Sequence, residues 1–427
     1  LATFFYLTIG LLVGGALALC APWLIGRLSI SESLRHTAEI SIVIVFGYFI
    51  LSCMVGVLTA RLVSLHRMNV TSIIRVFGQV IYAALIIVVL PRAPTVETAI
   101  LLNVAQVVIT GGLSLIALLQ IGPVRLCNPF SIPLPLIRKV MAFGGWMQIN
   151  SLASLVTMET DRIIVAAFIS IQAVTPYQIG NRLGSLGGVL PTQLLSAAMP
   201  NATMLSLTDD PEAVKRFYSN MTRYLMLLTV PVVGGIAAIA NPFILAWMGR
   251  VFPNAAFVAI GLSLAFGINN LTGMGTTMLR AAGVPKYEAY CGIIGTILNI
   301  AATIALAPTF GIRGIVTGTI LAEVVTSVCF LILFHRRYGF GWGETIGTWL
   351  WRLVVATVLS VAAVEVVRHF IWTPMNRLEA VLQIGLYGAI FSILCFITLT
   401  ALGFWTREDR AFAGKIMGRF RPAKSLT

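Results

Sequence analysis

Residues 232–245 read Val-Val-Gly-Gly-Ile-Ala-Ala-Ile-Ala-Asn-Pro-Phe-Ile-Leu, and residues 12–25 read Leu-Val-Gly-Gly-Ala-Leu-Ala-Leu-Cys-Ala-Pro-Trp-Leu-Ile. Both stretches are apolar, both carry Gly-Gly and Pro at the same offsets, and they lie about 220 positions apart. At the same lag Phe46, Gly47, Leu51 and Met54 meet Phe266, Gly267, Leu271 and Met274. A duplicated set of apolar helices is the pattern of many secondary transporters, so the repeat bears on function as well as fold.

The composition around the repeat agrees. Of the 427 residues 58% are hydrophobic and 10% charged, with a mean hydropathy of +0.94. A soluble domain carries about 25% charge, so this chain belongs in a membrane. The six cysteines stand singly in apolar runs and form neither a disulfide framework nor a metal spacing. The net charge of +14 is not a nucleic-acid footprint, because the basic residues are dealt out between apolar runs and never gather into a patch. Nor does the chain read as an enzyme. It has no Walker motif, and its histidines sit at run ends without ligand spacing.

Runs long enough to span a bilayer predict twelve transmembrane helices, at 3–27, 39–61, 70–91, 98–120, 140–168, 172–199, 219–245, 254–280, 287–308, 311–334, 346–370 and 380–403. With the first residue inside, the inner connections hold Arg61, Arg67, Arg125, Arg138, Lys139, Lys215, Arg216, Arg280, Lys286, Arg336 and Arg337. The outer ones hold only Arg27, Arg35, Arg92, Arg250, Arg313, Arg368 and Arg377. The bias predicts that both ends are cytoplasmic. The repeat lag places the partners of the fifth and sixth spans before Leu1, which predicts fourteen spans in the full protein. The expected organisation is an all-α polytopic membrane protein with two pseudo-symmetric six-helix lobes plus two C-terminal helices. The N-lobe is 1–120, lacking its first two spans, and a cytoplasmic linker follows at 121–139. The C-lobe is 140–334, the extra spans fall within 346–403, and a basic cytoplasmic tail closes the chain at 404–427.

Ionised groups inside a span mark the interior or a wet cavity. Arg182, in Tyr177-Gln-Ile-Gly-Asn-Arg-Leu-Gly, lies roughly 15 Å into its span, near the midplane. Gln178 and Asn181 neighbour it. Arg182 is a candidate for meeting an anionic substrate; the alternative is a structural pair with a carboxylate of another helix. In Glu159-Thr-Asp161-Arg162, Glu159 and Arg162 can pair three residues apart. That leaves Asp161 as a candidate for proton or cation coupling, or for an architectural pair with Arg182. Glu323 and Glu365 are further coupling candidates or simple hydrogen-bonding groups. Gln148, Asn269 and Asn270, with Asn150, Asn299, Asn103 and Gln106, are either cavity amides or interhelical glue. Arg61 and Arg280, at the inner ends of matching spans, are interfacial anchors or gating groups. Pro191 gives the Arg182 span a place to bend.

The segments Gly144-Gly-Trp-Met-Gln-Ile-Asn, Thr160-Asp-Arg-Ile-Ile-Val-Ala-Ala-Phe-Ile169 and Asn181-Arg-Leu, with Pro191, resemble the start of the second lobe of the bacterial oligosaccharide-lipid flippases. These belong to the multidrug/oligosaccharidyl-lipid/polysaccharide exporter superfamily. Leu279-Arg-Ala-Ala-Gly-Val-Pro-Lys286, then Asn299, Pro308, Gly311 and Gly314, resembles its later spans. The resemblance implies alternating access in the inner membrane, carrying an undecaprenyl-diphosphate-linked oligosaccharide to the outer leaflet. It implies no cofactor, with possible coupling to a proton or sodium gradient. The partners it implies are membrane lipids and the polysaccharide polymerase and chain-length machinery. It places Arg182 on the diphosphate and Trp146, Tyr177 and Tyr287 on the sugars. A multidrug or other cation-coupled exporter of the same superfamily is the alternative, favoured by a carboxylate-rich cavity. A scaffold for glycan assembly is a more distant one.

Overall fold

A computed structural model describes residue 15 and residues 32–65, 67–121, 133–208, 210–371, 376–407 and 409–410. Every regular element among them is helical. In chain order these are α1 (Glu32–Ser64), α2 (Met68–Val89), α3 (Val96–Ile121), α4 (Leu134–Phe168), α5 (Ile171–Gly184), α6 (Val189–Leu205), α7 (Pro211–Met248), α8 (Ala255–Asn270), α9 (Gly273–Ala281), α10 (Lys286–Phe310), α11 (Ile312–Tyr338), α12 (Thr348–Phe370) and α13 (Arg377–Ala401). A 3-10 turn, Ser185–Gly188, joins α5 to α6, and a π turn, Gly343–Gly347, leads into α12. The first expected span, with the 12–25 stretch of the repeat apart from Gly15, residues 122–132 of the linker and the tail beyond Arg410 lie outside the described residues.

Local chemistry sets the helix ends. Ser170 caps α5, its side chain accepting from the Ala173 amide at 3.2 Å. Asp210 caps α7 through the Ala213 amide at 2.9 Å, and Pro211 occupies the first turn, where no amide donor is needed. Asn376 and Glu379 cap α13 reciprocally, each bond 2.9 Å. Gly249 and Gly339 close α7 and α11 with φ of 73° and 66°, the left-handed geometry that glycine adopts without a Cβ penalty.

The chain divides into two compact units, residues 1–137 and 138–427. In the first, α3 packs against both α1 and α2 around buried Leu62, Ile74 and Leu118. Asn103 donates to the Tyr82 hydroxyl at 2.9 Å, tying α3 to α2. In the second, small residues let backbones approach. A Cβ on Gly180 would fall 2.5 Å from the Ala255 carbonyl oxygen, and one on Gly184 2.9 Å from that of Ala259, so α5 lies flush on α8. Gly314 and Gly318 do the same for α11 on α10. The C-terminal pair, α12 and α13, packs on α7 around Leu353, Tyr387 and Phe391.

Eight described helices are long and apolar enough to cross a membrane, or nine with α8 and α9 taken as one span bent by 40°. Two departures from the expected spans matter for the site. The 172–199 span is interrupted by the turn at 185–188, and Pro191 falls in the first turn of the new helix, where its missing amide costs nothing. The interruption of this span therefore lies before Pro191, at the 3-10 turn, and not at the proline. The 254–280 span breaks at residues 271–272. Its counterpart in the repeat, α1, runs unbroken through the matching positions. Asn269, Asn270 and Gly273 stand where α1 has Phe49, Ile50 and Cys53, and asparagine and glycine are weaker helix formers than the residues they replace.

Candidate functional site

The second unit contains a cavity of about 700 Å³, lined by α4, α5, α6, the broken pair α8–α9, α10 and α11. Its walls are rich in amides and hydroxyls, with Asp161, Glu288, Glu323 and Arg280 as the charged groups. Because an apolar helical unit gains nothing from burying such groups without partners, their arrangement indicates what the cavity does. They fall into three clusters.

The first is centred on Asp161, which is 3% exposed. Its Oδ2 accepts from the Tyr177 hydroxyl at 2.9 Å and from Thr319 Oγ1 at 3.1 Å. Thr319 in turn accepts from Asn299 Nδ2 at 3.1 Å. Asp161 Oδ1, Asn299 Oδ1 and Thr303 Oγ1 are buried and have no hydrogen-bond partner among the described residues. Helices α4, α5, α10 and α11 thus converge on a pocket with buried oxygens left unbonded. The second cluster is Glu323, accepting from Asn269 Nδ2 at 2.9 Å beside the α8–α9 break. The backbone at that break faces the cavity through Thr272 and Gly273, a position that interrupted helices tolerate only where they line a cavity or protein. In the third, Arg280 Nε donates to Glu288 Oε2 at 2.7 Å and its Nη2 to Glu288 Oε1. Asn150 Nδ2 also donates to Glu288 Oε1, at 2.7 Å. Thr157 and Thr296 share a 3.0 Å hydrogen bond between α4 and α10.

The site residues expected from sequence divide around this cavity. Asn181, Asn269, Asn270, Asp161, Glu323 and Arg280 line it. Arg182 does not: it is exposed, because Tyr177 and Asn181 present one side of α5 to the cavity and Gln178 and Arg182 stand about 100° further round. The alternative pair between Arg182 and Asp161 does not form; Asp161 is held by Tyr177 and Thr319. Gln148 is also exposed, and Asn150, two residues on, takes the lining position. Glu365 lies outside the cavity in an exposed i,i+3 pair with Arg368, and Pro191 is buried beside the turn but lines nothing. Arg61 is exposed at the end of α1 in the other unit. Glu159 and Arg162 do pair, at 2.7 Å. Of the aromatic residues expected on sugars only Tyr177 reaches the cavity. Trp146 packs edge-on against Tyr290, and Tyr287 lies under Arg337.

Sequence reasoning missed Glu288 altogether. It follows a Gly-Val-Pro turn at the start of a span and so reads as interfacial, and only its separation of eight residues from Arg280 across that turn hints at a pair. The threonines carried no signal, because single hydroxyls in apolar helices usually bond their own backbone.

The model of a family described as polysaccharide biosynthesis protein matches residues 1–256, more than half of the chain. This chain belongs to that family. Two relatives from Haloferax volcanii are similar over shorter stretches. The probable flippase AglR is 25% identical over 188 residues, 43% of this chain and 39% of its own length. The probable low-salt glycan biosynthesis flippase Agl15 is 21% identical over 201 residues, 47% and 42% of the two lengths. The matches thus span about two fifths of these relatives. Among solved structures, the lipid II flippase MurJ in an inward closed conformation aligns with a TM-score of 0.68 at 12% identity, covering 94% of this chain and 83% of its own. A MATE structure in the bent conformation aligns with a TM-score of 0.68 at 14% identity, covering 79% and 77%. A MOP superfamily transporter from Pyrococcus furiosus aligns with a TM-score of 0.67 at 14% identity. At these identities the structures establish a shared fold.

Proposed function

We propose that this family member is a flippase. It moves undecaprenyl-diphosphate-linked oligosaccharide repeat units from the cytoplasmic to the outer leaflet of the bacterial inner membrane by alternating access, with both ends of this chain cytoplasmic. The observation that carries the reading is a hydroxyl- and amide-lined cavity of about 700 Å³ inside an apolar helical unit. Such a lining exchanges water for hydrogen bonds to sugar hydroxyls, while a polyprenyl tail stays in lipid. The family assignment and the relatives' description as probable flippases support the same reading.

Transport against a gradient needs a driving ion, and the Asp161 pocket suits a proton or a sodium ion. Asp161 and Asn299 meet at Thr319, each with its Oδ1 buried and unbonded. A proton or small cation placed among these oxygens would complete their bonding, and its entry down the gradient is worth about 2.3 kcal/mol per 100 mV for each charge.

A second reading, a cation-coupled exporter of small molecules, has its own observation: three carboxylates and one guanidinium line the cavity. Deleting the gene separates the two. The flippase reading expects loss of surface polysaccharide and accumulation of lipid-linked repeat units on the cytoplasmic leaflet. Unchanged polysaccharide together with raised sensitivity to cationic dyes would replace it with the exporter.

A further inference from the structure

Arg280 is the only positively charged side chain lining the cavity among the described residues, and it is held in an unusual way. Its Nε and Nη2 edge is taken by Glu288, whose Oε1 is pinned in turn by Asn150 from α4. Glu288 is 9% exposed while Arg280 is 35% exposed. The carboxylate is therefore the buried, fixed half of the pair, and the guanidinium is the half open to the cavity. Its Nη1 has no partner among the described residues. The site is tightly built. A Cβ on Gly292 would fall 2.7 Å from Asn150 Oδ1, so α10 approaches the clasp closely here and a larger residue would have to displace the Asn150 amide. The clasp joins α9, the short segment beyond the break, to α10 and α4. Movement of α9 away from those helices must break it.

We infer that Arg280 is the anion receptor of this cavity and that Glu288 and Asn150 form its release latch. A diphosphate bound at the free guanidinium edge offers stronger, bidentate acceptors and competes with Glu288 for the occupied edge. Binding thereby loosens α9 from α10 and α4. The ligand class is a diphosphate monoester or diester. Its identification with a lipid head group rests on the flippase reading, whereas the anion site itself does not.

The test is thermal melting of the full-length protein in neutral detergent, titrated with inorganic pyrophosphate at constant ionic strength, with a neutral disaccharide as control. Saturable stabilisation by pyrophosphate is expected. Arg280→Gln should abolish it, and Arg280→Lys, which keeps the charge but not the fork, should weaken it. Glu288→Gln removes the competing carboxylate while keeping its shape, and should lower the half-saturating concentration about tenfold. A merely structural ion pair would make the Arg280 and Glu288 variants change binding alike. Equal weakening in both, unchanged affinity in both, or no stabilisation of the parent protein overturns the inference. Farnesyl diphosphate should compete at lower concentration than uridine diphosphate; the reverse order would overturn the lipid assignment. If pyrophosphate fails to bind while lipid-linked glycan still crosses the membrane, this inference falls and the flippase reading stands. If pyrophosphate binds as described and no glycan crosses, the flippase reading falls alone.

Discussion

Asp161 has two oxygens in different circumstances. Oδ2 takes hydrogen bonds from Tyr177 and Thr319, and Oδ1 is buried without one. Removing a hydrogen bond to a buried charged group costs about 1.5–3 kcal/mol. Tyr177→Phe should therefore lower the melting temperature of the purified protein, and added sodium should restore less of it than in the parent if the ion binds beside Asp161. Asp161→Asn should abolish the ion dependence of translocation in vesicles while the protein still reaches the membrane; unchanged ion dependence would remove Asp161 from the coupling role. At this scale the sequence reached Asp161 because an aspartate in a span is costly and rare. It did not foresee that Arg182 stands off the wall of this cavity, and the reason is geometric. Depth along a helix can be counted from sequence, but the direction around it depends on which neighbour the small residues Gly180 and Gly184 face. Those glycines turn the Tyr177–Asn181 side of α5 toward the cavity and leave Arg182 exposed, off its wall.

The two interrupted helices are the elements that shape the cavity. α5 and α6 part at a 3-10 turn, and α8 and α9 part at residues 271–272 with a 40° bend. The positions of the described long helices were legible from apolar run length, but the breaks were not, since hydropathy barely changes across two residues. The comparison of Asn269, Asn270 and Gly273 with Phe49, Ile50 and Cys53 was available in the repeat and would have located the second break. Replacing Asn269 and Asn270 together by leucine should favour a continuous helix, detach Glu323 from its donor and reduce translocation several-fold. Undiminished translocation would show that the bend is incidental. The α5–α8 contact has no slack for a larger residue. Gly180→Leu should cost about 3 kcal/mol or more through overpacking against the Ala255 backbone and Val258, seen as a loss of folded protein after detergent extraction. A polar-face substitution such as Arg182→Gln should leave folding unaffected.

Across the molecule, the segment after α13 is tied back to α7. Arg223 and Tyr224 both donate to Asp409 Oδ1 at 2.8 Å, and the Thr406 amide and hydroxyl donate to Oδ2 at 2.9 and 2.8 Å. Burial pushes the Asp409 carboxyl up, but the bonds from Thr406 and Tyr224 and the Arg223 charge outweigh it and hold it below its ordinary value. A depressed carboxylate stabilises the folded form above the ordinary carboxylate range, and that contribution is lost as pH falls through the lowered value. Docking of this segment should therefore persist at neutral pH and fail only below the ordinary carboxylate range, as measured by proteolysis within residues 402–410. Asp409→Ala should release the 402–410 segment at neutral pH by leaving Arg223 buried and unpaired, at a cost of about 3–5 kcal/mol. The membrane class and helical architecture were legible throughout in composition and run length. The cavity was legible only in part, because its polar lining is assembled from seven helices whose facing sides no single run reveals. The measurement that tests the central claim most directly is leaflet accessibility of undecaprenyl-diphosphate-linked oligosaccharide in vesicles containing the full-length protein. A glycan-cleaving enzyme outside the vesicles should gain access to substrate loaded on the inner leaflet, faster under an ion gradient, and Asp161→Asn should remove that acceleration. Access at the rate of protein-free vesicles, with or without the gradient, would contradict the account.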